Sequence, residues 1–244
     1  MILRDPSRGD VPMNFNLVDE SGMTAADLET NRLALLKYLE PLRSWEFGQS
    51  QVTVGAGDGV PIYITKRNQH LTAAGYHTVE HGKPAIYIFP KADHFGNFTA
   101  GKPAKPFVPA RKIGTFTLRA RPAVPATPDT MRGGQLATIC HEVAEVLGDP
   151  LIQTLANPDA QGRRLLREIT DPVHKLYYKI VVNGVNCILP NTVLPNWYEL
   201  GSAKPYDVMG WCSAPFQLAV VGGVTTGYAY FVTTVNGVTT YTKV

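Results

Sequence analysis

The chain has 244 residues, 44% of them hydrophobic and 18% charged, and a formal net charge of +3. That composition is typical of a globular domain and excludes a disordered one, and the small net charge gives no reason to expect nucleic acid or a membrane surface as a partner. No apolar run reaches the ~20 residues that span a membrane, and the N-terminus lacks the apolar core of a signal peptide. Three cysteines without framework spacing favour a reduced protein.

The N-terminal half begins with residues 1–22, which show no hydrophobic periodicity and are predicted to form an extended arm. Leucines at helical spacing in TAADLETNRLALLKYLEPLR predict a helix that begins after Thr24, a common N-cap residue. Three strands are predicted next, in SQVTVGAG, VPIYITKR and PAIYIFP. A helix followed by three strands indicates a sheet with a helix packed on one face.

The C-terminal half starts with a Pro-rich connection, residues 101–129, whose basic residues we expect to be solvated. GGQLATICHEVAEVLGDP predicts a helix that ends at Gly148, and GRRLLREITDP predicts a shorter helix or turn. Asn-Gly between β-branched runs predicts two hairpins, in YYKIVVNGVNCIL and YAYFVTTVNGVTTYTKV. The chain is therefore predicted to be α+β, with a main domain over residues 23–216 and a C-terminal β-hairpin region over residues 217–244.

The second predicted helix carries the sequence His-Glu-Val-Ala-Glu, from His141 to Glu145. At 100° per residue, His141 and Glu145 lie about 40° apart around the helix and about 6 Å apart along it, so both side chains can bind one ion. Imidazole and carboxylate are both zinc ligands. Glu142 lies beside this pair but is turned from it, which is the position of the catalytic base in metal-dependent hydrolases with this spacing.

The same helix is also typical of an ordinary surface helix. Its polar residues occupy one sector of ~120° and its apolar residues fill the rest. One observation weighs against that interpretation: from Gly133 to Pro172, the only basic residues are the arginines of RRLLR, so the acidic face lacks the usual helical ion-pair partners. Both interpretations stay open at the level of the sequence.

Two further acidic residues, Glu168 and Asp171, can complete a metal site. Catalytic zinc has three protein ligands and one open position, and Glu168 follows Glu145 by 23 residues, enough for one chain reversal and a second helix. We therefore predict Glu168 as the third ligand. Asp171 is predicted to accept the imidazole N–H of His141, or to be the third ligand itself. The competing interpretation is that Glu168 pairs with a nearby arginine and that Asp171 merely begins a turn.

The other histidines are not assigned to the metal. His77 precedes a predicted edge strand that is suited to bind an extended peptide, and we do not predict it as a ligand. His174 lacks a partner pattern and is predicted to lie at the surface, as are three further histidines: His70, His81 and His94.

The segments HEVAE…GDP and REITDPV together resemble a group of phage and prophage proteins with a zincin-like H-E-x-x-E motif. AAGYHTVEHGKPAIYIF upstream and LPNWYELGSAKPYDVMGWCSAPFQL downstream are similar to the same group, so the resemblance runs in blocks from Leu71 to Phe216. The resemblance implies a zincin-like metallopeptidase fold, with a mixed sheet, an N-terminal helix and an active-site helix. It also implies association with virus particles.

These observations predict a zinc-dependent, metallopeptidase-like protein of a phage or prophage, with one Zn²⁺ per chain. A metal-activated water attacks a peptide carbonyl, and Glu142 takes the proton. The expected partners are a peptide or protein substrate, or neighbouring virion subunits, and the expected location is the host cytoplasm or the virion. Two alternatives are a non-catalytic virion assembly protein, whose C-terminal hairpin adds to a neighbour's sheet edge, and a cell-wall lytic hydrolase.

Overall fold

The computed structural model describes residues 13–44, 50–66, 73–91, 93–106, 111–113, 116–118, 122–235 and 238–244. These ranges contain the α-helices α1 (Ala25–Leu39) and α2 (Gln135–Gly148). Neither helix is long and apolar enough to cross a bilayer, and the search covered only these ranges. The strands are β1 (Asn14–Asp19), β2 (Gln51–Val54), β3 (Val60–Ile64), β4 (Gly75–Glu80), β5 (Lys83–Ile88), β6 (Asn97–Thr99), β7 (Arg111–Ile113), β8 (Phe116–Leu118), β9 (Thr130–Arg132), β10 (Arg164–Leu165), β11 (Tyr177–Val182), β12 (Val185–Pro190), β13 (Val220–Val221), β14 (Val224–Thr225), β15 (Tyr230–Val235) and β16 (Val238–Lys243). The combination is the mixed α+β structure that the sequence predicts.

The largest sheet has five strands in the order β2-β1-β3-β5-β4. The pairs among β1, β2, β3 and β5 are parallel, whereas β4 runs antiparallel to β5 and forms one edge. Both helices pack against this sheet: α1 contacts β1 and β2, and α2 contacts β4 and β5. Buried Leu17, Ile62 and Ile86 come from adjacent strands and contribute to the core between sheet and helices.

The first strand corrects the prediction of an extended arm over residues 1–22. Residues Asn14–Asp19 form β1, an inner strand of the main sheet, with Phe15 and Leu17 buried in the core. Its apolar alternation covers too few residues to stand out in the sequence, and pairing with β2 and β3 on both sides decides its conformation. Residues 1–12 of the predicted arm lie outside the described residues. The three predicted strands are confirmed as β2, β3 and β5.

Helix α1 is confirmed with its predicted cap. The Thr24 hydroxyl accepts the backbone N–H of Asp27 at 3.1 Å, which satisfies one of the free donors at the helix N-terminus. Leu35 and Leu39 are buried in the core, because leucines at this spacing share one face of a helix.

Helix α2 begins at Gln135 without a side-chain cap from the residue before it, within the described chain. The backbone N–H groups of Gln135 and Leu136 instead donate to the carbonyls of Asp93 and His94, at 2.9 and 2.8 Å. The connection after β5 therefore holds the start of α2. The helix ends at Gly148, as predicted.

Both predicted hairpins are confirmed. β11 and β12 pair antiparallel around Asn183 and Gly184, whose positive φ angles of 50° and 76° are those that Asn-Gly turns favour. β15 and β16 also pair antiparallel, although their turn, residues 236–237, lies outside the described residues. In the Pro-rich connection, most described side chains with an assigned burial are exposed, as expected.

The segment predicted as a shorter helix or turn is not helical at its start. Arg164 and Leu165 form β10, which pairs with β15, and only the 3-10 turn Asp171–Val173 is helical. The backbone groups of β10 form hydrogen bonds with β15, so they are not available for the hydrogen bonds of a helix. The same pairing joins the C-terminal hairpin to the body of the protein, so the structure shows no separation at residue 217.

Candidate metal centre

The polar face of α2 is buried. Glu142 and Glu145 are only 7% and 5% exposed to solvent, and Gln135 at the start of the helix is fully buried. The surface-helix interpretation is therefore wrong for this face, because other parts of the chain cover it. A buried carboxylate is costly unless cationic or hydrogen-bonding groups surround it, so its neighbours identify the site.

One covering segment, residues 166–171, follows β10 and passes the end of α2. At Gly148 an added Cβ would lie 2.5 Å from the carbonyl oxygen of Arg167 and 2.4 Å from Cγ2 of Ile169. Only glycine permits this approach. The segment is thereby placed so that the Thr170 hydroxyl donates to Oε1 of Glu145 at 2.8 Å.

The C-terminal region also reaches the site. An added Cβ at Gly227 would lie 2.1 Å from the carbonyl oxygen of Pro172, so glycine is required where the chain enters β15. The next residue, Tyr228, donates its backbone N–H to the carbonyl of Asp171 at 3.0 Å. Burial and the charge of the Asp171 carboxyl group raise the pKa of its hydroxyl. The ring of Tyr228 also contacts that of His174, with centroids 5.5 Å apart.

Glu145 lies at the centre of these groups. Its Oε1 is 2.9 Å from Nε2 of His141, one helical turn earlier, and its Oε2 is 3.4 Å from Nδ1 of His77 on β4. The two oxygens of one carboxylate thus face two different imidazoles.

His77 contacts three glutamates although its side chain is only 8% exposed. Nδ1 lies 3.2 Å from Oε2 of Glu142 and 3.4 Å from Oε2 of Glu145, and Nε2 lies 3.9 Å from Oε2 of Glu168. The edge strand therefore contributes a side chain to the site and does not merely border it.

The predicted ligands are only partly brought together. His141 and Glu145 meet as the helical spacing predicts. Glu168 faces His77, and Oδ1 of Asp171 lies 3.6 Å from Nε2 of His141, the same nitrogen that faces Glu145. Asp171 thus lies on the ligand side of the imidazole and not behind it, which favours the alternative in which Asp171 is the third ligand.

Within the described residues, two groups place candidate ligand atoms within 4.8 Å of one another. The first group is His141, Asp171 and His174, and the second is His77, Glu142 and Glu145. Glu168 belongs to neither. Three buried atoms around these groups have no hydrogen-bond partner in the described chain: His77 Nε2, Glu168 Oε2 and Asp171 Oδ1.

Burial and crowding shift the pKa values of the acidic groups. Burial and the negative charge of Glu145 raise the pKa of Glu168 to about 9 and that of Asp171 to about 8. Burial alone would raise the pKa of Glu145 as well, but the positive charge of His141 outweighs it and lowers that pKa. In the protein without a bound ion, Glu145 is therefore ionised at neutral pH while Glu168 and Asp171 hold protons.

The histidines shift in opposite directions. Burial alone would lower the pKa of His77 and His141, but hydrogen bonds from His77 to Glu142 and the charge of Glu145 near His141 raise these values to about 11 and about 10. Burial and the charge of His141 lower the pKa of His174 to about 4. His174 is therefore a neutral imidazole at pH 7, the form that binds metals.

Two adjoining clefts open onto the centre, one of about 400 Å³ and one of about 290 Å³. His141, Glu142, Tyr228 and Gly75 line both of them. Glu142 thus borders both clefts, whereas Glu145 lines only the smaller one.

Sequence reasoning missed His77 and His174. The three-residue spacing from Asp171 to His174 within a short turn was a usable signal, because residues at that spacing share one side of a helical turn. His77 lies 64 residues before His141 on another element, and no local pattern connects the two.

None of the protein families, curated proteins and solved structures that were compared with this chain matches it.

Proposed function

We propose that this protein is a metal-dependent hydrolase that cleaves peptide bonds at the centre built on α2. The observation that carries the proposal is the buried polar face of that helix, which meets histidines and carboxyl groups from two other parts of the chain, β4 and residues 168–174. Charged clusters of this kind are uncommon in a core, because burying them costs free energy that hydrophobic residues would not cost. A bound cation explains why the cluster is kept.

The residues present fit a divalent ion. Asp171 Oδ1 is buried, has no hydrogen-bond partner among the described residues, and lies 3.6 Å from His141 Nε2. Imidazole nitrogen and carboxylate oxygen are the donors that zinc accepts, and oxygen-rich sets also suit manganese. We assign the ion to His141, Glu145 and Asp171, with neutral His174 beside them. Such an ion, when bound, polarises a carbonyl oxygen and lowers the pKa of water.

Glu142 is the base in this proposal. Burial and the nearby negative charge of Glu145 raise its pKa, which brings the carboxylate closer to the range in which general bases act. It lines both clefts, and the hydrogen bond between its Oε2 and His77 Nδ1 fixes its orientation. Glu142 then takes the proton of the attacking water and passes it to the leaving amine.

The position of β4 supports a peptide as the substrate. β4 is an edge strand, and no other described strand pairs with its outer side. Val79 lies opposite Pro84, which has no N–H, so Gly75, His77 and Val79 direct their backbone groups to the open edge under antiparallel alternation. An extended peptide can add to this edge as a further strand, directly beside the centre.

The test is metal content by mass spectrometry on protein purified without added ions or chelator. We expect about one ion per chain, as in other catalytic sites of this type, and its loss in His141→Ala. His81→Asn is the matched control, since His81 is exposed on the β4–β5 turn. Absence of metal from the unmodified protein, even after zinc is offered, would overturn the proposal.

A second candidate function, assembly into a particle, is supported by β16. All six of its side chains are exposed, and it forms the outer edge of the sheet β10-β15-β16 within the described chain. Such an edge can pair with a neighbouring subunit. Ala229 and Val244 exchange backbone hydrogen bonds, so under antiparallel alternation Tyr241 directs its N–H to the open edge. Substituting Tyr241→Pro should therefore prevent incorporation into particles without affecting hydrolysis, if assembly is the function.

A further inference from the structure

Glu145, a member of the second group of ligand atoms, also contacts the first group. Glu145 approaches His141 of the first group through Oε1, at 2.9 Å, and belongs to the second group through Oε2, which lies 3.4 Å from His77. A carboxylate with its two oxygens turned to different imidazoles has the arrangement of a ligand that bridges two cations.

The second group has the donors that a cation needs. His77 Nδ1 lies 3.2 Å from Glu142 Oε2 and 3.4 Å from Glu145 Oε2, so one nitrogen and two carboxylate oxygens converge. All three side chains are less than a tenth exposed. The two glutamate oxygens thus lie on the same side of the His77 ring, around Nδ1.

The other side of the His77 ring gives an independent observation. Its Nε2 has no hydrogen-bond partner among the described residues, and neither has Glu168 Oε2, which faces it at 3.9 Å. A histidine that binds a metal through one nitrogen commonly donates its other N–H to a carboxylate, which fixes the tautomer. Glu168 is in place for that role when His77 binds an ion through Nδ1. Glu168, which the sequence predicted as a metal ligand, would then orient the ligand His77.

We propose that the centre binds a second divalent cation between His77, Glu142 and Glu145, with Glu145 shared between the two ions. The first ion is the one assigned under the proposed function, and the proposal of a second ion rests on that assignment. Protein sites that hold two metals place them about 3.5–4 Å apart, bridged by groups of this kind.

A second ion has a direct consequence for hydrolysis. It engages the carboxylate of Glu142, which therefore no longer takes a proton from water. Hydrolysis should rise as the first ion binds and fall again as the second site fills. The second site is then a regulatory one, which responds to the free concentration of the metal.

The experiment is a titration of the full chain with Mn²⁺, followed by electron paramagnetic resonance and by native mass spectrometry. We expect two ions per chain at saturation and a spin-coupled signal, since two Mn²⁺ ions bridged by a carboxylate interact magnetically. His77→Gln and Glu142→Gln should each bind one ion and show an uncoupled signal. His81→Asn should behave as the unmodified protein, because His81 lies on an exposed turn.

The outcomes separate the two proposals. One ion per chain at saturation, with an uncoupled signal in the unmodified protein, would overturn the second site and leave the proposed function standing. Two ions in His77→Gln would overturn the assignment of this residue. Failure to bind any ion would overturn both. The spectrum of the unmodified protein decides the matter even if a variant does not fold.

Discussion

Helices α1 and α2 both lie on the main sheet and both have an apolar and a polar face, yet their polar faces differ in surroundings. On α1 the acidic residue Glu29 is 47% exposed and forms an ion pair with Arg32 at 2.7 Å, one turn away. On α2 the acidic residues Glu142 and Glu145 are buried and contact histidines from other elements. The same amphipathic pattern thus gives a solvated face in one helix and the core of a charged cluster in the other.

Amphipathicity therefore predicts which face of a helix packs on the sheet, but it does not predict which parts of the chain cover the opposite face. α1 has the features of a helix stabilised by itself: a capping Thr24, an acidic first turn and a basic last turn. Within the described chain α2 has none of these, and its ends are held by Asp93 and by the segment beside Gly148. The polar residues of α2 therefore contribute to the site and not to the capping of the helix.

The largest contrast is expected for Glu145→Gln against Glu29→Gln, measured by denaturant unfolding of metal-free protein at pH 7. Buried Glu145 partners the cationic side chains of His77 and His141, which are 8% and 19% exposed. Removing one member of a buried pair costs about 3–5 kcal/mol. Glu29→Gln should leave the unfolding midpoint unchanged, because water screens the exposed pair. Equal midpoints for the two variants would contradict the buried network.

The next contrast is catalytic and compares Glu142→Gln with Glu29→Gln. Loss of the base should lower the rate of hydrolysis of labelled casein by about 100-fold or more, while the ion assigned to His141 stays bound. Glu29→Gln should hydrolyse at the unmodified rate, since α1 lies outside both clefts. Unchanged hydrolysis by Glu142→Gln would remove Glu142 as the base.

Metal affinity should depend on pH because protons occupy the same atoms. The pKa of His141 is raised to about 10 and that of Asp171 to about 8, so between pH 6 and pH 8 an ion must displace protons from both. Affinity should therefore rise with pH, by about tenfold per unit for each proton displaced. Calorimetric titration in buffers of different ionisation enthalpy counts the released protons. An affinity that is flat across this range would contradict the assigned ligands.

The smallest effect concerns the helix caps. Thr24→Ala should lower the free energy of unfolding by about 1 kcal/mol, because it removes the hydrogen bond to the Asp27 N–H. Introducing a cap at the equivalent place in α2, Gly134→Ser, should destabilise the protein as well. An added Cβ there would lie 2.4 Å from the carbonyl oxygen of Asp93. Thermal unfolding of both variants checks this, and a stabilising Gly134→Ser would show that α2 accepts an ordinary cap.

Elements that depend on nearby residues were predictable. Thr24 and the leucines of α1, Gly148 at the end of α2 and the two Asn-Gly hairpins are all local signals, and each is confirmed. β1 and β10 were not predictable, because their few residues become strands through hydrogen bonds to distant ones. In the site, the pairing of His141 with Glu145 follows from helical spacing, and the cluster around it does not.

The amino-acid sequence alone shows that one helix carries an imidazole and a carboxylate one turn apart, with a second glutamate beside them. The tertiary fold buries this polar face, brings Asp171 and His174 beside His141, and places His77 against Glu142 and Glu145. The two kinds of information differ in the distance along the chain over which the interactions act. Backbone hydrogen bonds and side-chain spacing fix neighbours within a helical turn, whereas sheet order and close glycine contacts bring together groups that are tens of residues apart.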